Sequence, residues 1–193
     1  MSSVAPMITV RMATTSDCDK VGALQVKAWL ETYRGLVPDS VLNTLSTVDQ
    51  AATWRRILVR EPPVAMAVAE SDSGRLLGFA AGGPGRGKRL PHDSEIYAIY
   101  VLAAAQRQGL GSTLIAAVAR QLASQGAQSL CLWVLRDNAR ARQFYESLGG
   151  IEVGEKAESM GGARLQEVAY GWEDVNAFLA QFENQSDRKI QPD

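Results

Sequence analysis

Two glycine-rich stretches of this chain have residue types that could hold a phosphate. The first is QRQGLG, residues 106–111, set between the apolar run EIYAIYVL and the segment STLIAAVARQLA, whose apolar residues recur at helical spacing. A strand that hands over to a helix exposes the free N–H groups of the first helical turn, and the axial dipole favours an anion there. Gly109 and Gly111 lack Cβ atoms, which lets a bulky anion approach the backbone and the chain turn tightly. Gln106 and Arg107 add side-chain donors, and Arg107 adds charge. The dinucleotide fingerprint G-x-G-x-x-G fails at its third glycine, where Leu114 stands. From these six residues alone a purely structural turn stays open.

The second stretch is GGPGRGKRLPHDS, in which Gly82, Gly87 and Lys88 satisfy the G-x-x-x-x-G-K part of a nucleotide loop. Arg89 then stands where a Mg²⁺-binding Ser or Thr belongs, and LPHD follows where a helix is required. Without that helix no dipole end and no ladder of free N–H groups holds the phosphates. The stretch therefore reads as a hairpin loop, from which Arg86, Lys88 and Arg89 can still reach an anionic part of a ligand. Nucleotide binding by Gly82 to Lys88 is the competing reading.

The elements that must position these loops follow from periodicity and turn residues. Residues 7–14 read as a strand, and Ser16 or Asp17 caps a helix whose apolar face is Val21, Leu24 and Ala28 and whose end is Gly35. Residues 37–58 read as a second helical region broken near Ser46 to Asp49, with Asp49 capping the new turn. VAMAVAES and RLLGFAAG, joined by DSG, form a hairpin. After the strand 95–102 and the first glycine loop, Leu110, Leu114, Val118 and Leu122 mark a helix ended by Gly126. SLCLWVL is a buried strand, NARARQFYESLGG a short helix capped by Asp137 or Asn138, and GIEVGEKAE with RLQEVAY a closing hairpin. WEDVNAFLAQFE is a terminal helix and NQSDRKIQPD a frayed polar tail. Strands 95–102 and 129–135 enclose one helix, a right-handed β-α-β unit. The expected architecture is an α/β fold with a mixed, mostly antiparallel central sheet and helices on both faces, in one domain over 1–193 with its core at about 7–172.

Composition narrows the partners. The chain has 193 residues, and its 20 Lys plus Arg against 21 Asp plus Glu give no field that would draw it to nucleic acid or membrane. Cys18 and Cys131 belong to no metal-ligand spacing and read as buried small residues, so no metal is expected. No run reaches the roughly 18 apolar residues of a membrane span, and MSSVAPMITV lacks the marks of a signal peptide, so a cytoplasmic location is expected.

Extended in both directions, the motif gains a family. IYV at 99–101, RQGLGS, the helix, SLCLWVL, Asn138 and FYESLG together closely resemble the GNAT superfamily of acetyl-CoA-dependent N-acetyltransferases. Gln106, Gly109 and Gly111 meet its Q/R-x-x-G-x-G/A signature, and YESLG at 145–149 is a second hallmark. The resemblance implies a splayed parallel β-α-β cofactor site. Ile99, Tyr100 and Val101 would line the pantetheine arm of acetyl-CoA. Arg107, Gln108, Gly109, Leu110, Gly111 and Ser112 would hold its pyrophosphate. Asn138 would bond the pantetheine, cap the helix, or do both.

The same resemblance, with the chemistry of acetyl transfer, names the catalytic candidates. An alkyl ammonium of pKa ~10.4 costs about 4 to 5 kcal/mol to deprotonate at pH 7, an α-amino group near ~7.8 only about 1. A base therefore matters more for a lysine-like or polyamine acceptor. Glu95 matches the glutamate that many members use as base, directly or through water, and simple alternation puts it on one face with Tyr97, Ile99 and Val101. A surface carboxylate is the other reading. Tyr145 matches the tyrosine that protonates the departing thiolate, against a plain core tyrosine. A backbone N–H near Val101 would stabilise the oxyanion. Trp133 stands where some relatives acting on ribosomal or other protein N-termini carry a glutamate. Trp29, Glu31, Tyr33 and Arg34, in a W-x-x-x-Y-R-G stretch shared with many members, are the acceptor candidates, and an aromatic, acidic mouth would suit a cationic amine. His92, the one histidine, reads as a loop residue. The expected activity is transfer of acetyl to a primary amine of a small molecule or an exposed protein amine in a ternary complex. A non-catalytic acyl-CoA sensor is the alternative, and a homodimer through the final strands and helix is possible in such a fold.

Overall fold

The computed structural model describes residues 7–87 and 90–187. Seven strands form one sheet in the order β1-β2-β3-β4-β5-β7-β6. They are β1 Ile8–Met12, β2 Ala65–Ser71, β3 Leu76–Pro84, β4 Ser94–Val101, β5 Leu130–Leu135, β6 Ile151–Met160 and β7 Ala163–Trp172. Every pair is antiparallel except β4 with β5. The helices are α1 Cys18–Thr32, α2 Asp39–Leu42, α3 Thr47–Leu58, α4 Leu110–Ser124, α5 Ala139–Ser147 and α6 Val175–Asp187. The mixed sheet with helices on both faces is the expected architecture.

The two faces hold two cores. Leu114, Ile115 and Val118 of α4, with Phe178 of α6 and Tyr145 of α5, cover one face over Ala80, Ile96 and Leu132. Val21, Leu24 and Ala28 of α1, with Trp54 of α3, cover the other over Val68, Phe79 and Ala98. The 3.6-residue spacing read from α1 and α4 corresponds to these buried stripes.

Several boundaries differ from expectation. Ser46, whose Oγ accepts from Asp49 N–H at 3.2 Å, caps α3, so Asp49 lies inside the first turn instead of capping it. The closing hairpin is longer than its apolar pattern, because β6 and β7 continue as a mostly exposed ribbon to Gly161 and Gly162. Trp172 ends β7, and α6 starts at Val175, where Asp174 Oδ1 accepts from Asn176 and Ala177 N–H. That helix runs on to Asp187, through the first residues of the segment read as a tail; residues 188–193 lie outside the described residues.

The entry to α1 is fastened by charge. Arg11 on β1 forks onto Asp17 through Nη1 (2.9 Å) and Nη2 (2.8 Å) and reaches Glu70 on β2 through Nε (2.9 Å). The Arg11 guanidinium, against the cost of burial and helped by the Thr14 N–H, holds the Asp17 carboxyl down at about 2. A carboxylate depressed in this way stabilises the fold above its ordinary pKa and loses that contribution as pH falls toward the folded value. Resistance to unfolding by urea is therefore expected to fall below about pH 4. Asp17→Asn should cost on the order of 2 kcal/mol at pH 7 and flatten this acid limb; an unchanged limb would show that the pair does not set it.

Candidate active site

β4 is irregular at two places, and both shape the site. Opposite β3, Ala81 pairs with Ala98 and Gly82 with Ile96, so Tyr97 is an extra residue, a β-bulge. Below and above it the faces exchange. Ile96, Ile99 and Val101 pack on the α4 side, whereas Ala98 and Tyr100 belong to the α1 side. Tyr97 lines a cavity on that α1 side together with Ala98 and Tyr100. Glu95 therefore does not share a face with Ile99 and Val101, as simple alternation requires. The bulge is built around a missing side chain: a Cβ on Gly83 would lie 2.7 Å from the Tyr97 hydroxyl. In its absence that hydroxyl donates to Pro84 O at 2.6 Å, and the Arg86 guanidinium stacks 4.2 Å from the ring centre.

The second irregularity is a parting of strands. β4 and β5 pair at Ser94/Leu130, Glu95/Cys131 and Ile96/Leu132 and nowhere further. From Tyr97 to Val101, β4 pairs with β3 on one side only. Ile99, Tyr100 and Val101 thus border an open wedge in the middle of the sheet.

The glycine loop closes the end of that wedge. Gln106 Nε2 donates to Val101 O at 2.7 Å, and Gln106 Oε1 is buried without a partner among the described residues. Arg107 takes φ +62°, a left-handed conformation that costs a non-glycine residue about 1 kcal/mol or more. Gly109, at φ +79°, is the N-cap of α4, and a Cβ there would meet nothing. Gly111 has a different reason from the one expected: its Cβ would press on Phe144 at 3.0 Å, so this glycine seats α4 against α5. Gln108 Nε2 approaches Ala104 O at 3.5 Å, and Ser112 Oγ donates to Gly109 O at 2.9 Å. Leu110 is buried under the loop. The other glycine stretch lacks this context, since Gly82 lies inside β3 and, among the described residues, no helix stands between β3 and β4. Lys88 and Arg89 lie outside the described residues.

Tyr145 is 7 % exposed on α5, with its ring 5.4 Å from Phe144 and 5.9 Å from Tyr170. Burial, and then the charge Tyr33 would carry if ionised, push its phenol well above the ordinary range. Tyr145 is thus a neutral O–H at physiological pH. Its helix is pinned to β7: Tyr170 donates to Glu146 Oε1 at 2.5 Å and accepts from Arg142 Nε at 3.1 Å. Asn138 caps α5, its Oδ1 accepting from Ala141 N–H at 3.2 Å.

Glu95 is 3 % exposed and wholly engaged. One oxygen accepts from Arg86 Nε (3.1 Å) and Nη2 (2.6 Å), the other from the Arg86 backbone N–H (2.9 Å). A loop residue that the motif reading treated only as a basic accessory is therefore the glutamate's partner.

The four acceptor candidates separate. Trp29 lines the α1-side cavity with its Nε1 buried and facing the Tyr100 hydroxyl. Tyr33 packs edge-on against Trp29 at 4.9 Å and lies 6.5 Å from Tyr100. Glu31 is committed elsewhere, its Oε2 accepting from Ala103 N–H at 2.9 Å and so tying α1 to the turn before the glycine loop. Arg34 is exposed and outside the cavity. The mouth is aromatic but not acidic. Sequence reading missed its far wall, Gln50, Thr53 and Ile57 of α3 with Arg60 just past its end, because partly buried polar residues on an amphipathic helix carry no motif. His92 is buried against Gly171 with both nitrogens unpartnered, and burial lowers its pKa. It lines a second cavity with Arg86, Glu95, Cys131 and Trp133. The thiol of Cys131 is pushed up to about 12 by burial, and Lys156 sits 4.5 Å over the Trp133 ring. Among the described residues no His, Cys, Asp and Glu group of metal-binding size occurs, and no helix is long and apolar enough to cross a membrane.

Comparison with known proteins agrees with this geometry. The profile of the acetyltransferase (GNAT) family matches residues 26–150. The chain is 34% identical over 171 residues to the uncharacterized N-acetyltransferase YuaI of Bacillus subtilis (strain 168), covering 89% of this chain and 96% of that protein. Ribosomal-protein-alanine N-acetyltransferase from Brucella melitensis superposes with a TM-score of 0.68 at 24% identity over 86% of this chain and 99% of its own. Salmonella typhimurium yncA, solved with its cofactor acetyl-CoA, gives a TM-score of 0.65 at 21% identity over 86% and 94%. At these identities the two structures are likenesses of fold.

The two glycines of the loop should respond differently to a methyl group. Gly109→Ala is expected to cost about 1 kcal/mol through its left-handed backbone. Gly111→Ala is expected to cost about 1 to 3 kcal/mol by crowding. Shortening Phe144 to leucine should recover much of the Gly111 loss and none of the Gly109 loss in urea denaturation. Strict additivity at Gly111 would refute the packing account.

Proposed function

Because the chain belongs to the acetyltransferase (GNAT) family and is an N-acetyltransferase, we propose that it binds acetyl-CoA along the open edge of β4 and passes the acetyl group to a small amine. The observation that carries this reading is the wedge between β4 and β5. A strand buried in mid-sheet with unpaired backbone groups needs a partner, and an amide-bearing pantetheine arm supplies donors and acceptors at strand spacing. Ile99, Tyr100 and Val101 would take that arm. Arg107 to Ser112, at the N-terminus of α4, would take the pyrophosphate, with charge from Arg107. Gln106 would serve the pantetheine arm instead, since its unsatisfied Oε1 can accept from an amide N–H, and Asn138 keeps its amide NH₂ for the cofactor while its oxygen caps α5. A cytoplasmic location, and a homodimer through the last strands, stand as expectations of the family.

The amine attacks the acetyl carbonyl, the carbonyl oxygen becomes an oxyanion, and the C–S bond breaks with its electrons leaving on sulfur. A backbone N–H in the unpaired stretch of β4 is a preorganised donor for that oxyanion. Tyr145 gives its proton to the sulfur, and its high pKa keeps that proton in place until the thiolate appears. Glu95 serves as base by way of water, since both of its oxygens already accept from Arg86. Before attack the amine must lose its proton, which makes this relay matter most for strongly basic acceptors.

Acetyl-CoA at a hundred times its Kd should raise the unfolding free energy by about 2.7 kcal/mol, and ATP should not. Stabilisation by ATP alone would overturn the reading. Tyr145→Phe is expected to lower kcat roughly 10²-fold with acetyl-CoA binding intact. Since the phenol is raised, no loss of activity due to this group should occur below about pH 10. Full activity of the phenylalanine variant would remove Tyr145 from the mechanism.

A further inference from the structure

The α1-side cavity meets the bulge of β4, where the reacting carbonyl would lie, and its charge is the opposite of what a cationic amine needs. Arg60 and Arg86 both line it, and no Asp or Glu does. Glu31 and Glu95 are already hydrogen-bonded, Glu31 to the Ala103 N–H and Glu95 to Arg86. Arg60 forms no ion pair among the described residues. Arg86 uses Nε and Nη2 on Glu95, which fixes the guanidinium plane and leaves Nη1 without a partner among the described residues. A guanidinium held in this way is preorganised for a carboxylate. Trp29 Nε1 is a buried donor that faces the Tyr100 hydroxyl, so it belongs to the aromatic wall of the cavity and is not a free donor.

We propose that the acceptor is a small amine carrying a carboxylate, of amino-acid size, whose carboxylate is bound by Arg60 and by the open Nη1 of Arg86. The proposal rests on the acetyltransferase reading of the same site. Size supports it: the cavity of about 240 Å³ lies below the roughly 300–1,000 Å³ that drug-sized ligands fill. Charge supports it twice. A polycation would meet Arg60, which has no ion pair among the described residues, beside an Arg86 already paired with Glu95, whereas a carboxylate gains Arg60 and the open Nη1 of Arg86. The same positive field disfavours the ammonium form of the bound amine, easing the loss of the proton that must precede attack. Tyr97, in the same wall, reports that field, because both arginines act to lower its pKa against the larger effect of burial.

The test is a matched acceptor panel with coenzyme A release as readout: the common α-amino acids, the same compounds as amides, and a polyamine. At least one carboxylate-bearing member is expected to exceed its amide at least tenfold in kcat/KM, with the polyamine poorest. Arg60→Gln should raise KM for that acceptor about tenfold while leaving the KM for acetyl-CoA and the melting temperature unchanged, and Arg60→Lys should recover part of the loss. Turnover confined to amides or the polyamine, no turnover with any carboxylate-bearing member, or indifference to Arg60→Gln, overturns the proposal. Calorimetric titration of the same samples with acetyl-CoA separates these outcomes from failure of the acetyltransferase reading, which would appear as loss of coenzyme binding.

Discussion

The structure turns on a hydrogen-bond debt in the middle of its sheet. β5 gives six positions to β7 and three to β4, so β4 beyond Ile96 has a neighbour on one side only. Unmade backbone hydrogen bonds in a buried setting cost about 1–3 kcal/mol each, and a gap of this kind persists only if the surroundings prevent closure. They do so from both ends. The β6–β7 hairpin inserts β7 against β5, and the Gln106 amide occupies the Val101 carbonyl at the mouth of the wedge. The fold thereby keeps an unsatisfied strand edge where a ligand with amide groups can complete the ladder.

The bulge at Tyr97 decides which chemistry each face receives. On one side Ile99 and Val101 look toward α4 and the glycine loop; on the other, Tyr97, Ala98 and Tyr100 look toward α1 and α3. Donor and acceptor can therefore approach one strand from opposite faces and meet at its backbone. Tyr145 lies on α5, on the α4 side of the sheet, with its ring packed between Phe144 and Tyr170. Glu31 joins the helix that carries Trp29 and Tyr33 to the turn that leads into Gln106.

Much of this was legible in the chain. Strand, glycine loop and helix each carry their own period or turn residue, and Asn138 and Tyr145 fall on a short helix whose cap is visible as a residue type. The face of Glu95 was not legible by counting, because a one-residue bulge inverts every side chain beyond it. A signal for it existed in another strand: adjacent Gly82 and Gly83, since a glycine inside a strand often marks a bulge or a close approach. The partner of Glu95 was hidden for a different reason. Arg86 comes from a loop nine residues away, and loop geometry is set by tertiary contact with Tyr97 and Pro84, which no local pattern encodes. The α3 wall was invisible because Gln50 and Thr53 look like any solvated helix face until α1 is placed beside them.

Arg86 stands in both cavities, and it is carried by a connection between two strands, while Arg60 lies just past the end of α3. Neither belongs to the wedge, the glycine loop or α5. On the proposed assignment Arg60 would act on the acceptor alone, whereas Arg86 also holds Glu95 and so joins the two ends of the site. Arg60 can be exchanged without releasing Glu95, whereas Arg86 cannot, which makes the segment just past α3 the natural handle for directed evolution.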